Sequence, residues 1–85
     1  MKRVVNVVEI EGAGLESLLG ETVMLMCANY FYRGKLTGVN SAFVQLEDAE
    51  IIYDTDKEGK ITVRGKLPSK IWYVETHMIE SYGQA

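Results

Sequence analysis

From Thr22 onward the chain alternates in steps of two. Val23, Leu25 and Cys27 share one face of an expected strand and Met24 and Met26 the other, so this strand is apolar on both sides. Ala28-Asn29 fits a two-residue turn, since asparagine tolerates positive φ. The next strand is expected from Tyr30 to about Val39. Tyr30, Tyr32, Gly34, Leu36 and Gly38 fall on its inward face, with Arg33, Lys35 and Thr37 on the other. Glycine weakens a strand by losing backbone entropy and offering no side chain to pack. Two of them flanking Leu36 on an inward face predict a strand that curls over a tight core; a pair of bulges in an open sheet is the alternative.

Asn40-Ser41 turns the chain again, and "AFVQLEDAEIIY" (42–53) reads as a long third strand with Val44 and Leu46 on one face. "DTDKEGK" is a polar turn and "ITVR" extends the hairpin outward, so 54–69 is expected to be an extended hairpin loop, interrupted where Pro68 cannot donate to a ladder. "KIWYVE" and "MIESY" are two final short strands separated only by Thr76-His77. Upstream, Leu15, Leu18 and Leu19 follow helical spacing before Gly20, predicting a short helix that must dock on the sheet. Before it lies an N-terminal extension, 1–14, in which "VVNVVEI" (4–10) is β-branched and strand-like. The pattern predicts a single, mainly β domain over 1–85. It combines a short N-terminal helix with a five-stranded, strongly bent antiparallel sheet in sequential order, forming a small open barrel.

Size changes this picture. A chain of 85 residues buries only about 60–65% of the surface its unfolded form exposes and usually needs a disulfide, a metal or a partner subunit. Cys27 is the only cysteine and His77 the only histidine, which excludes an intrachain disulfide and a His/Cys zinc cluster. Self-association is the support that remains. The net charge of −3 argues against a generic nucleic-acid binder. The opening "MKRVVNVVEIEGAG" is broken by Asn6, Glu9 and Glu11, so neither a signal peptide nor a membrane span is expected there. A lone cysteine suits a reducing cytoplasm.

"LESLLG", then "VMLMC", a hairpin turn, and Arg33-Gly34 followed by Leu36 resemble the first motif of the Sm-like family, which includes the eukaryotic and archaeal Sm proteins and bacterial Hfq. "LEDA" (46–49) resembles the end of the family's third strand, "IWYVETHMIES" its second motif, and "THMI" (76–79) the histidine-bearing turn of Hfq. The likeness covers roughly residues 15–82. It implies an Sm-like, SH3-like barrel and a homo-oligomeric ring of roughly five to seven subunits, closed by pairing the fourth strand of one copy with the fifth of the next.

The family's RNA pocket is not reproduced. Its loop aspartate is replaced by Asn40, and its stacking residue, uracil-reading asparagine and second-motif arginine fall at Ala42, Val44 and Glu75. A shift of one residue brings Phe43 into the stacking role, and the Hfq-like match offers His77 to a base. The resemblance therefore implies single-stranded RNA binding, or ribonucleoprotein assembly, through an altered pocket made of Asn40, Ser41 and Phe43 in one loop and Thr76 and His77 in the other. The competing expectation is a ring scaffold that binds another protein and has lost RNA.

Other signals are weaker. "EIEGAGLES" has the glycine spacing of a dinucleotide loop, but its helix is too short and no parallel strand follows. "DTDKEG" opens like a calcium loop, yet the closing glutamate position holds Gly65. Cys27 sits in an apolar strand, where a thiol is usually inert, and no enzyme activity, cofactor or membrane partner is expected. Lys57, Lys60, Arg64, Lys66 and Lys70 concentrate in 57–70 and read as a solvated hairpin, with a phosphate-contacting arm as the alternative.

Overall fold

Alternation along β1 (Thr22–Cys27) does what the pattern requires: Val23 and Leu25 are fully buried and Cys27 nearly so, while Met26 is exposed on the opposite face. In the computed structural model, which describes residues 14–85, this strand pairs with β2 (Phe31–Val39) around the Ala28-Asn29 turn, where the Cys27 N–H donates to the Tyr30 carbonyl at 3.1 Å. β3 (Phe43–Thr55) pairs with β2, and its inward Val44 and Leu46 join Val23, Leu25 and Leu36 in a core with 0% exposure at each of these five side chains. Leu15, Leu18, Tyr32, Val39, Leu67, Trp72 and Ile79 pack around that core.

β4 (Ile61–Lys66) pairs with the distal half of β3, β5 (Ile71–Glu75) with its proximal half, and β6 (Ile79–Gln84) with β1. The result is one antiparallel sheet of six strands in the order β4-β3-β2-β1-β6, with β5 beside β3, and it does not close on itself. Five strands in sequential order were expected. "ITVRGK" instead forms a strand of its own, and β5 and β6 do not pair because a 3₁₀ turn, Thr76–Met78, separates them. Only the tip of the expected 54–69 loop is a turn. There Asp56 Oδ1 accepts the N–H groups of Glu58 and Lys60 at 2.9 and 2.8 Å, and Gly59 takes φ 81°.

The break near Pro68 lies where β4 gives way to β5. Opposite it, Asp48 adopts a left-handed φ of 52° and donates its N–H to the Lys70 carbonyl at 2.8 Å. Aspartate tolerates that conformation better than most residues with a Cβ. Gly34 faces this kink from β2, so close that a Cβ on it would lie 2.8 Å from the Ala49 Cβ and 2.9 Å from the Ala49 Cα. Gly34 lies buried on the inward face, as expected.

Gly38 does not. Register shifts lie at Arg33/Lys35 and again at Leu36/Gly38, and the second turns Gly38 outward to pair with Gln45, whose side chain lies over it. The two glycines serve different faces.

The helix expected from Leu15 is a 3₁₀ turn, Leu15–Leu18, and no α-helix forms among the described residues. Leu15 and Leu18 pack inward, but Leu19 is already extended and half exposed. Gly20, at φ 88°, donates to the Leu36 carbonyl at 2.7 Å and Leu36 returns a bond to Glu21, so sheet pairing takes over where the helix would have continued. Among the described residues no helix is long and apolar enough to cross a membrane. The strand expected at 4–10 lies outside the described residues.

Candidate functional site

The β2–β3 connection and the turn after β5 are held together by side chains. Asn40 Oδ1 accepts the N–H groups of Ala42 and Phe43 at 2.7 and 2.8 Å, a local turn typical of asparagine. Thr76 Oγ1 donates to the carbonyls of Ser41 and Ala42 at 2.8 and 3.1 Å, and the Thr76 N–H also reaches Ala42 at 2.9 Å. Asn40, Ser41, Phe43 and Thr76 therefore form one cluster at one end of the sheet. His77 follows Thr76 and is largely exposed, with Nε2 3.2 Å from the Glu75 carboxylate.

Asn40 and Thr76 spend their oxygens on building the loops. Phe43 is the exposed contact group: its ring, 44% exposed, meets Tyr73 edge-on with centroids 5.7 Å apart. Tyr73, 58% exposed, escaped the sequence reading although period two across Trp72, Tyr73 and buried Val74 puts it outward. Gln45 was missed as well. It lies opposite Tyr73, and its Nε2 donates to Thr37 Oγ1 at 3.1 Å. Gly38, Val39, Asn40, Phe43, Gln45 and Tyr73 line a shallow recess of about 230 Å³ on this outer face. Of the positions matching the family pocket, Val44 is 0% exposed and belongs to the core.

Further along the same face the side chains become charged. Glu50, largely buried, is ion-paired with Arg33 and lies 3.8 Å from Arg64, and Glu47 lies 3.6 Å from the exposed Lys70. Of the cations expected to sit in a solvated hairpin, Arg64 and Lys70 thus join the bend. Lys35 and Lys66 are exposed and form no ion pair among the described residues. On the opposite side, burial and then the Glu80 charge push the Cys27 thiol up from its ordinary value, which keeps it protonated and unreactive. Burial, followed by the neighbouring Cys27, Tyr30 and Tyr53, likewise raises Tyr32.

No protein-family model, curated protein or solved structure matches this chain.

Proposed function

We propose that this protein is an Sm-like barrel that assembles edge to edge into a homo-oligomeric ring and binds single-stranded RNA at the joined loops. The observation that carries this reading is the tie from Thr76 to Ser41 and Ala42. It brings two segments far apart in sequence into one cluster with the exposed Phe43 ring beside it. An exposed ring gives every base a face to stack on, and a ring of subunits multiplies weak single contacts. Assembly is supported by the sheet's ends. Among the described residues β6 pairs only with β1, and β4 and β5 only with β3, so both edges carry backbone groups suited to pairing with a second copy.

A second reading, a ring scaffold for another protein, is favoured by one observation: Glu75 stands exposed at the loop cluster, where its charge repels phosphate. Fluorescence anisotropy with labelled oligo-uridine and a mixed-sequence RNA at two salt concentrations separates the two. Binding that falls on Phe43→Ala and His77→Ala upholds the RNA reading, and no binding to either RNA makes the scaffold the leading account. Light scattering tests the ring: a monomer at all concentrations overturns it.

A further inference from the structure

The outer face of β3 carries an ordered series of groups. At its loop end stand the two exposed rings of Phe43 and Tyr73. One step on, over Gly38, Gln45 is steadied by Thr37 and keeps Oε1 and one N–H free of hydrogen bonds among the described residues. Next to it Lys35 lies opposite Glu47, with Lys70 at the other side of that carboxylate. Last comes the row Lys66, Glu50 and Arg33 across β4, β3 and β2, with Arg64 nearby.

Cations outnumber carboxylates along this series even when the exposed Asp48, beside both Lys35 and Lys66, is included. Both Glu47 and Glu50 have cationic partners, and Lys35 and Lys66, both exposed, form no ion pair among the described residues. Aromatic rings first, an amide next and unneutralised lysines after them match what a single nucleic-acid strand offers: stacking faces, base edges and a phosphate backbone. We propose that this face is a track for an extended single-stranded RNA, running along β3 from Phe43 and Tyr73 past Gln45 to Lys35 and Lys66. The proposal rests on the RNA-binding reading above and adds its path, a second stacking ring and a base-edge reader. From Phe43 to Glu47 the extended part of the track is about 13 Å long at strand spacing, and it continues past the Asp48 kink to Lys66, room in all for about four nucleotides.

Gly38 fits this role. A side chain there would press on the Gln45 Cβ, 3.3 Å from the added carbon, and fill the floor of the recess. The outward turn at the bulge leaves that floor open for a base.

The test compares Tyr73→Ala, Tyr73→Phe, Gln45→Ala, the double variant Lys35→Ala/Lys66→Ala and His77→Ala by anisotropy with labelled RNA over a salt series. Circular dichroism confirms that each is folded. The expected result is about a tenfold loss for Tyr73→Ala, restored by Tyr73→Phe, because only the ring is needed. The lysine variant flattens the salt dependence by ~1.4 in log–log slope, the release expected for two phosphates on a single strand. Gln45→Ala narrows the difference in affinity between oligo-uridine and the other homopolymers. If RNA binds and falls with His77→Ala but ignores Tyr73 and both lysines, the track is overturned and the loop site stands alone. If no RNA binds to the native protein, both fail together.

Discussion

Gly34→Ala is the sharpest perturbation the fold offers. The added methyl carbon would stand 2.8 Å from the Ala49 side chain, 2.9 Å from its Cα and 3.3 Å from the Glu47 carbonyl. Relief requires the strands to part by about 0.5 Å in a close-packed interior. The Ala49 side chain has no rotamer to escape into, and its backbone is fixed between the Asp48 kink and the Leu67 N–H, which donates to the Ala49 carbonyl. Overpacking of this kind costs about 1–3 kcal/mol. The lower chain entropy of alanine in the unfolded state offsets about 0.4–1 kcal/mol. The net loss is centred on about 1.3 kcal/mol, a fall in Tm of about 5–10 °C for a domain of this size.

Thermal and urea unfolding followed by Trp72 fluorescence measure it, at one fixed protein concentration because self-association shifts apparent stability. Ala49→Gly in the same background recovers little, since the added carbon still meets the backbone of β3 at 2.9 Å. Gly38→Ala is the control. Its added carbon meets the Gln45 Cβ at 3.3 Å, a tight contact but with no atom under 3.0 Å, so the loss should be smaller than at Gly34, about 1 kcal/mol or less. A Gly34→Ala protein as stable as the native one, or equal losses at both glycines, would refute the close approach of β3 to Gly34 as the reason for that glycine.

Val44→Asn introduces, at a position that is 0% exposed, the residue that the Sm-like resemblance would call for there; a buried, unpaired amide should cost at least about 2 kcal/mol in urea unfolding and confer no uridine preference. Leu36→Ala should cost about 2–5 kcal/mol, read in the same way, because that side chain is fully enclosed in the core. Thr76→Val removes the hydroxyl bonds to Ser41 and Ala42; about 1 kcal/mol or less should be lost, with faster amide exchange in 41–43 and weaker RNA binding. Alkaline unfolding has a defined sign: Cys27 is raised above its ordinary 9.0, so above that pH the unfolded chain loses its thiol proton first. Stability is therefore intact below pH 9 and declines as pH rises above it, steepening past 10 as Tyr32 contributes, and Cys27→Ala should remove the first part of that slope.

What could be read from the sequence was whatever depends on period two within an uninterrupted strand. Alternation grouped Val23 with Leu25 and Val44 with Leu46 on shared faces and placed Leu36 inward, and all five are fully buried. The Ala28-Asn29 turn and the break at Pro68 were legible because a loop signal of two residues and a missing N–H are local facts. The two glycines were not separable, since both sit on even positions of the same run. A bulge after Leu36 moves everything beyond it to the other face, and nothing in "LTGV" announces where the extra residue falls.

The same limit explains the candidate site. Asn40, Ser41, Phe43 and Thr76 were chosen by resemblance and do meet, but two of them turn out to build the loops rather than present groups to a ligand. The groups that face outward, Tyr73 and Gln45, lie on strands whose neighbouring residues Val74, Val44 and Leu46 are buried. In β3 the inward residues Val44 and Leu46 fix the core, and by the same geometry Phe43, Gln45 and Glu47 must line the opposite face. Lys35, opposite Glu47 across the β2–β3 ladder, extends that face into charge. One alternation thus specifies two surfaces at once. The outer one lies on β3, a strand paired on both sides, and not on the loops, which is why substitutions there should leave the fold intact.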